Sequence, residues 1–185
     1  MQLKQIRNIF LMFMTCALLG WIYEVLVGIF ETHMGYVNRG FLFGPYLPIY
    51  GFGGIILIAL LLPIRNKKIY VGSFSVSFIL VFLATMLITT ILELIGSYFM
   101  EFIMGDWLWD YSTYFCNFEG RIALWSSVKF GLGGLIIIYI IEPAVYFCIQ
   151  KLNERAVNIF TIILAIIFTI DLLFRPFFGS NFLGK

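Results

Sequence analysis

The sequence predicts an all-α fold: a polytopic membrane helix bundle of about five transmembrane helices, forming a single integral membrane domain over residues 1–185. Three observations predict it. Hydrophobic residues make up 62% of the chain and charged residues 12%, against roughly 45–50% and about 25% in soluble domains. Mean hydropathy is +0.99. Five apolar runs are each long enough, at about 20 residues, to cross a hydrocarbon core of roughly 30 Å.

The runs fall at about 9–30, 45–64, 70–100, 122–148 and 157–174. The first follows basic residues, as a secretory signal would, but no small-residue cleavage pattern follows and the run continues through Trp21 and Tyr23. It is expected to stay as an uncleaved helix. Near residues 43–51 the second run opens with a re-entrant or broken segment, because Pro45 and Pro48 bring no N–H and Gly40, Gly44 and Gly51 allow close backbone approach. The third and fourth runs exceed the required length, which tilt absorbs. Glu142 directly precedes Pro143 and marks a kink or the inner rim.

Orientation follows from the basic residues of the short loops. Lys4, Arg7, Arg65, Lys67, Lys68, Lys151 and Arg155 fall on one side; Arg39, Arg121, Arg175 and Lys185 fall on the other. The majority side is cytoplasmic by the positive-inside rule, so the N-terminus lies inside and the C-terminus outside. Both polar-rich loops, around residues 31–51 and 101–121, then face outward.

Helix rise converts position to depth. Glu24 lies roughly 10 Å and Lys129 roughly 12 Å below the outer ends of their helices, and Glu93 and Asp171 share that band. A charge there costs about 2.5–3.5 kcal/mol unless it is partnered, so these groups face protein. Glu93, Ser97 and Glu101 form a stripe at i, i+4, i+8, with Lys129 and Arg39 as the obvious counter-ions. Ion pairs of this kind either tie helices together or line a solvated outward pocket. Clustering at one depth under two polar loops favours the pocket.

In the first loop Arg39 offers a guanidinium fork to a carboxylate or phosphate, with the Asn38 amide beside it; in a structural turn it would only snorkel to head groups. In the second loop an aromatic belt accounts for Trp107, Trp109, Tyr111 and Tyr114, but not for Asp106, Asp110, Asn117, Glu119 and Arg121. A glycine echo links the halves: Gly40 stands before "GFGG" (Gly51, Gly53, Gly54) as Gly120 stands before "GLGG" (Gly131, Gly133, Gly134). A parallel repeat of two helix hairpins would produce it.

Some chemistry is absent. No P-loop, GxSxG or HExxH motif occurs, His33 is the single histidine, and Cys16, Cys116 and Cys148 have no metal-ligand spacing, so neither a metal nor a cofactor is expected. A net charge of +2, spread over short loops, does not call for nucleic acid.

The ordered set "GWIYE", "NRGFLFGPYLPIYGFG", "LE…SYFME", "WDYS" and "N.EGRI" resembles the bacterial multi-pass membrane proteins described as ABC-transporter permeases of type IV. The likeness runs from about Leu19 to Gly134 and touches Glu24, Asn38, Arg39, Gly40, Gly44, Pro45, Pro48, Tyr50, Gly51, Glu93, Glu101, Trp109, Asp110, Tyr111, Asn117, Gly120 and Arg121. Lys129 is outside the pattern. The resemblance implies transport, with a separate ATP-hydrolysing subunit on the cytoplasmic side and membrane lipid around the helices. The expected ligand-binding residues are Glu24, Asn38, Arg39, Glu93, Glu101, Asp110, Tyr111, Asn117 and Arg121, facing a small polar, anionic or zwitterionic solute; Gly40, Gly44, Pro45, Pro48 and Gly51 are expected to be structural. The alternative is an envelope-facing enzyme acting on a lipid or cell-wall intermediate, with an outer carboxylate as general acid or base and Arg39 or Arg121 holding an anionic group. A structural or regulatory membrane subunit is the third reading.

Overall fold

The computed structural model describes residues 2–175 except 32, 34, 37, 39, 68, 72, 73, 107 and 108. Arg39, Lys68, Trp107 and Lys185, singled out above, lie outside the described residues. The elements are α1 (Gln2–Phe30), α2 (Pro48–Lys67), β1 (Tyr70–Val71), β2 (Phe74–Ser75), α3 (Ser77–Met104), β3 (Asn117–Phe118), β4 (Ile122–Ala123), α4 (Leu124–Ile136), a π-helical turn (Ile137–Ile141), α5 (Glu142–Lys151) and α6 (Glu154–Phe174). Five helical stretches are long and apolar enough to cross a membrane, the fourth running from Leu124 through Lys151. The protein is an all-α polytopic bundle, as its apolar runs predict. The third span starts at Ser77 rather than near residue 70, because Tyr70–Val71 and Phe74–Ser75 pair as a short antiparallel hairpin. That stretch is apolar enough to read as helix, but its residues pair as strands instead.

The chain divides into two compact units, one of residues 1–55 with 142–185 and one of residues 56–141. In the first, α1 packs on α5 and α6. Lys4 pairs with Glu154 at 2.7 Å and Arg7 donates to Asn158 at 2.7 Å, which puts the start of α1 beside the start of α6. Asn153 caps α6 by accepting from the Arg155 N–H at 2.9 Å. At the other end, α6 meets the segment that follows α1. Leu42, Tyr46 and Leu47 are buried in that segment, and with Phe13, Met14 and Ala17 of α1 the first two form the core of the unit. The Leu47 N–H donates to the Ala17 carbonyl at 3.0 Å, about 20 Å below the Phe30 end of α1. Residues 41–47 therefore descend alongside α1 as non-helical backbone before α2 begins at Pro48. Such backbone is tolerated at membrane depth only when buried in protein or facing water, and here Leu42, Tyr46 and Leu47 are buried in protein while Phe43 and Pro45 are exposed. Pro48 sits at the first helical position, where its missing N–H costs nothing.

In the second unit α3 and α4 form the main pair, and Leu57, Leu61, Val81, Leu135 and Ile138 make its core. Thr85 and Thr89 bond back to carbonyls of their own helix, which hides their hydroxyls from the apolar surroundings. Gly105, at φ +75°, ends α3 by donating to the Glu101 carbonyl. The π-helical turn precedes Pro143, which has no N–H for the carbonyl of Ile138 five residues back. Arg65 supplies the donor instead, from Nη1 at 2.6 Å.

Glycines set how closely the helices approach, since small residues rather than apolar burial govern packing between membrane helices. A side chain at Gly51 would run into Phe13 and one at Gly54 into Cys16, whereas Gly53 faces open space. In the second unit Gly131 lies against Phe82 and Met86 and Gly134 against Thr85, and Gly133 faces open space.

Candidate functional site

Two carboxylates project from the first helices of the two units. Glu24, on α1, accepts a hydrogen bond from the Tyr50 hydroxyl of α2, and the Tyr50 ring lies 6.2 Å from that of Tyr23. Gly20 makes room for this arrangement, because a Cβ there would overlap the Tyr50 ring. Glu93, on α3, accepts from the Tyr111 hydroxyl at 3.0 Å and from the Ser126 hydroxyl at 3.3 Å. Lys129, one turn beyond Ser126, is the cation whose field reaches Glu93, and its ammonium stands 5.9 Å from the Trp125 ring. Thr90 and Ser127 share a hydrogen bond at 2.6 Å one helical turn away, so the α3–α4 seam carries hydroxyls around the carboxylate.

One turn and two turns beyond Glu93 along α3, Ser97 and Glu101 meet the guanidinium of Arg121, at 3.0 Å and 2.5 Å, and Glu119 lies 3.5 Å away. The Arg121 side chain is 7% exposed, and its guanidinium carbon sits 4.0 Å from the centre of the Tyr98 ring. The expected stripe on α3 is therefore one face, with Glu93 on a phenol and Glu101 on an arginine. Arg121 is the ion-pair partner of Glu101.

A tight turn presents Arg121. Glu119 and Gly120 both have positive φ, +52° and +70°, as a primed hairpin turn requires, and the Arg121 N–H closes it on the Phe118 carbonyl. Asn117 holds the turn from inside: its amide donates to the carbonyls of Ser112 and Tyr114 and its oxygen accepts from the Gly120 N–H. Asp110 accepts from both the N–H and the hydroxyl of Ser112, and Trp109 donates to the Arg121 carbonyl at 2.8 Å. The polar side chains of the second loop build the platform that aims Tyr111 at Glu93 and Arg121 at Glu101.

In the first unit the corresponding platform is tied to α6. Asp171 accepts from the N–H groups of Phe43 and Gly44 at 2.9 and 2.8 Å and from the Tyr46 hydroxyl at 2.6 Å. Arg175, one turn on, donates to the Phe41 carbonyl at 2.6 Å and lies 4.5 Å from the Phe43 ring. Gly44 is required because a Cβ would overlap the Tyr46 ring. Asn38 accepts from the Trp21 indole at 2.6 Å and reaches the Phe43 carbonyl at 3.4 Å.

Of the expected ligand-binding residues, Glu24 and Asn38 belong to the first unit; Glu93, Glu101, Asp110, Tyr111, Asn117 and Arg121 belong to the second. Tyr46, Tyr50 and Ser126 were not expected as site residues, and Asp171 had no partner assigned.

This helix order, with its two folded-back loops, accompanies a family match over nearly the whole chain: the family model described as "Putative ABC-transporter type IV" matches residues 11–175. The chain belongs to that family. The match takes in α6 together with Asp171 and Arg175, so the clamp on the first loop lies inside the type IV family region. No curated protein and no solved structure matches the chain. As a type IV family member with five apolar spans, it is a multi-pass membrane protein.

Proposed function

We propose that the protein is the membrane-spanning component of a transport system, with its N-terminus in the cytoplasm and its C-terminus outside. It takes a small polar, anionic or zwitterionic solute at its outer face. The observation that carries this reading is the pair of carboxylates at membrane depth, Glu24 and Glu93, each held by hydroxyl groups rather than buried in an apolar seam. A carboxylate in a membrane span is expensive, and its default reading is a place on a ligand pathway. Glu24 and Glu93 are each suited to the cationic end of a zwitterion, and Arg39 and Arg121 each to an anionic end. Glu101, Asn38, Asp110, Tyr111 and Asn117 complete the polar outer surface.

The family supports a transport role, and the absence of a P-loop from the sequence means that ATP hydrolysis, if coupled, comes from another subunit. That subunit docks on the cytoplasmic side, at the turn before α3 and at the turn between α5 and α6. Exposed Ile159, Ile163, Ile166 and Ile170 on α6 suit contact with lipid.

The test is purification in lipid nanodiscs followed by mass spectrometry of small molecules retained by the wild type, by Glu93→Gln and by Glu24→Gln. A polar solute held by the wild type and lost from the variants, at unchanged thermal stability, supports the reading. Identical small-molecule profiles in all three overturn it.

A further inference from the structure

The glycine echo extends far beyond glycine once the packing partners are known. At one constant offset, Gly40, Gly51, Gly53, Gly54 and Pro63 correspond to Gly120, Gly131, Gly133, Gly134 and Pro143. At a second constant offset, Phe13, Cys16 and Glu24 of α1 correspond to Phe82, Thr85 and Glu93 of α3. The two offsets were obtained independently, and the contacts join them. Gly51 lies against Phe13, and Gly131 against Phe82; Gly54 lies against Cys16, and Gly134 against Thr85; Gly53 and Gly133 both face open space. Gly40 and Gly120 both have positive φ. In each case a first helix is followed by a loop that folds back along it, and a tyrosine hydroxyl donates to the glutamate: Tyr50 to Glu24, Tyr111 to Glu93.

Chance recurrence of glycine in membrane helices accounts for a repeated GxGG, but not for matching partners on a different helix at a different offset. We propose that residues 9–67 and 78–147 are two parallel copies of one helix–loop–helix hairpin, and that Glu24 and Glu93 are one carboxylate site in duplicate. The protein thus offers two sites to cationic groups of one chemical class, an organic ammonium. Carboxylate and hydroxyl oxygens from two helices are the donor set that an ammonium takes up. α6, with Asp171 and Arg175, lies outside the duplication and serves the loop of the first copy. This proposal rests on the reading of Glu24 and Glu93 as ligand-facing groups, and adds that the sites are two and alike.

The test uses the intact protein in nanodiscs, dicyclohexylcarbodiimide as a probe of carboxyl groups in apolar surroundings, and methylammonium as the competing cation. Adducts are located by peptide mass spectrometry. Two adducts are expected, on Glu24 and Glu93, falling over the same methylammonium range and about ten-fold at ten times the apparent Kd. Glu24→Gln removes one adduct and leaves the other equally protected, and Glu93→Gln does the converse. A single adduct, protection of one site alone, or no protection in the wild type overturns the proposal without reliance on any variant. The outcomes separate from those of the transport reading: equal protection at both sites with no solute exchanged leaves the duplication standing and removes transport. Exchange abolished by Glu93→Gln but untouched by Glu24→Gln removes the duplication alone.

Discussion

Asp171 on α6 accepts a hydrogen bond from the Tyr46 hydroxyl at 2.6 Å, and both residues are buried. The same carboxylate takes the N–H groups of Phe43 and Gly44, so one side chain closes the non-helical segment against the last span. Hydrogen bonds to a charged group contribute about 1.5–3 kcal/mol each, and a buried donor left without its acceptor is costly. Asp171→Ala is expected to destabilise the protein by about 3 kcal/mol or more, read as a lowered midpoint in thermal unfolding in nanodiscs. Asp171→Asn keeps one acceptor and is expected to fall between the two. An unchanged midpoint for Asp171→Ala would show that the loop is held by other contacts.

The glycine contacts make a paired prediction. Leucine at Gly51 or Gly134 must displace Phe13 or Thr85, and overpacking of this kind costs about 1–3 kcal/mol. Leucine at Gly53 or Gly133 meets open space and is expected to cost little beyond propensity. Four variants compared by yield and thermal midpoint check the pattern. Equal loss in all four would mean that the helices do not meet along these faces.

Arg121 is nearly fully buried between Ser97, Glu101 and the Tyr98 ring. Removing one partner of a buried ion pair costs about 3–5 kcal/mol, because the other charge stays behind. The Glu101 side chain is 42% exposed, which lets water take over part of its solvation and puts the expected loss for Arg121→Ala at the lower end, about 3 kcal/mol. Arg121→Lys retains charge but not the fork, and is expected to recover less than half of that loss. Chemical denaturation followed by the signal of Trp109, whose indole donates to the Arg121 carbonyl, reports both.

Topology has a natural reporter in Cys116, an exposed residue of the loop between α3 and α4, whereas Cys16 is buried. A membrane-impermeant maleimide added to intact cells is expected to label Cys116 in a Cys148→Ser background. Labelling only after the inner face is opened would invert the orientation.

Much of the fold is legible in the sequence, because twenty-residue apolar runs have few soluble explanations and Pro45, Pro48 and the neighbouring glycines announce broken backbone. The Glu93–Ser97–Glu101 face follows from helical periodicity alone. The Asp171 clamp does not, since two of its three donors are backbone N–H groups of Phe43 and Gly44, which carry no residue-type signal. The Arg121–Glu101 pair does not follow from the sequence, because the reach of Arg121 depends on the turn at Glu119 and Gly120. Only the second-helix half of the duplication shows as a glycine echo. The first helices match at a different offset, since the loops differ in length, and their shared residues, a phenylalanine and a glutamate, become recognisable only through what they touch.

Whether Glu24 and Glu93 meet a transported solute is decided by solute exchange. Proteoliposomes carrying the protein are loaded with a total small-molecule extract of bacterial cells, and the released compounds are identified by mass spectrometry against empty liposomes. The wild type is expected to release at least one small zwitterionic or anionic compound selectively, and Glu24→Gln and Glu93→Gln are expected to abolish that release while keeping their thermal midpoints. Release that is the same for the wild type, both variants and empty liposomes would contradict the account.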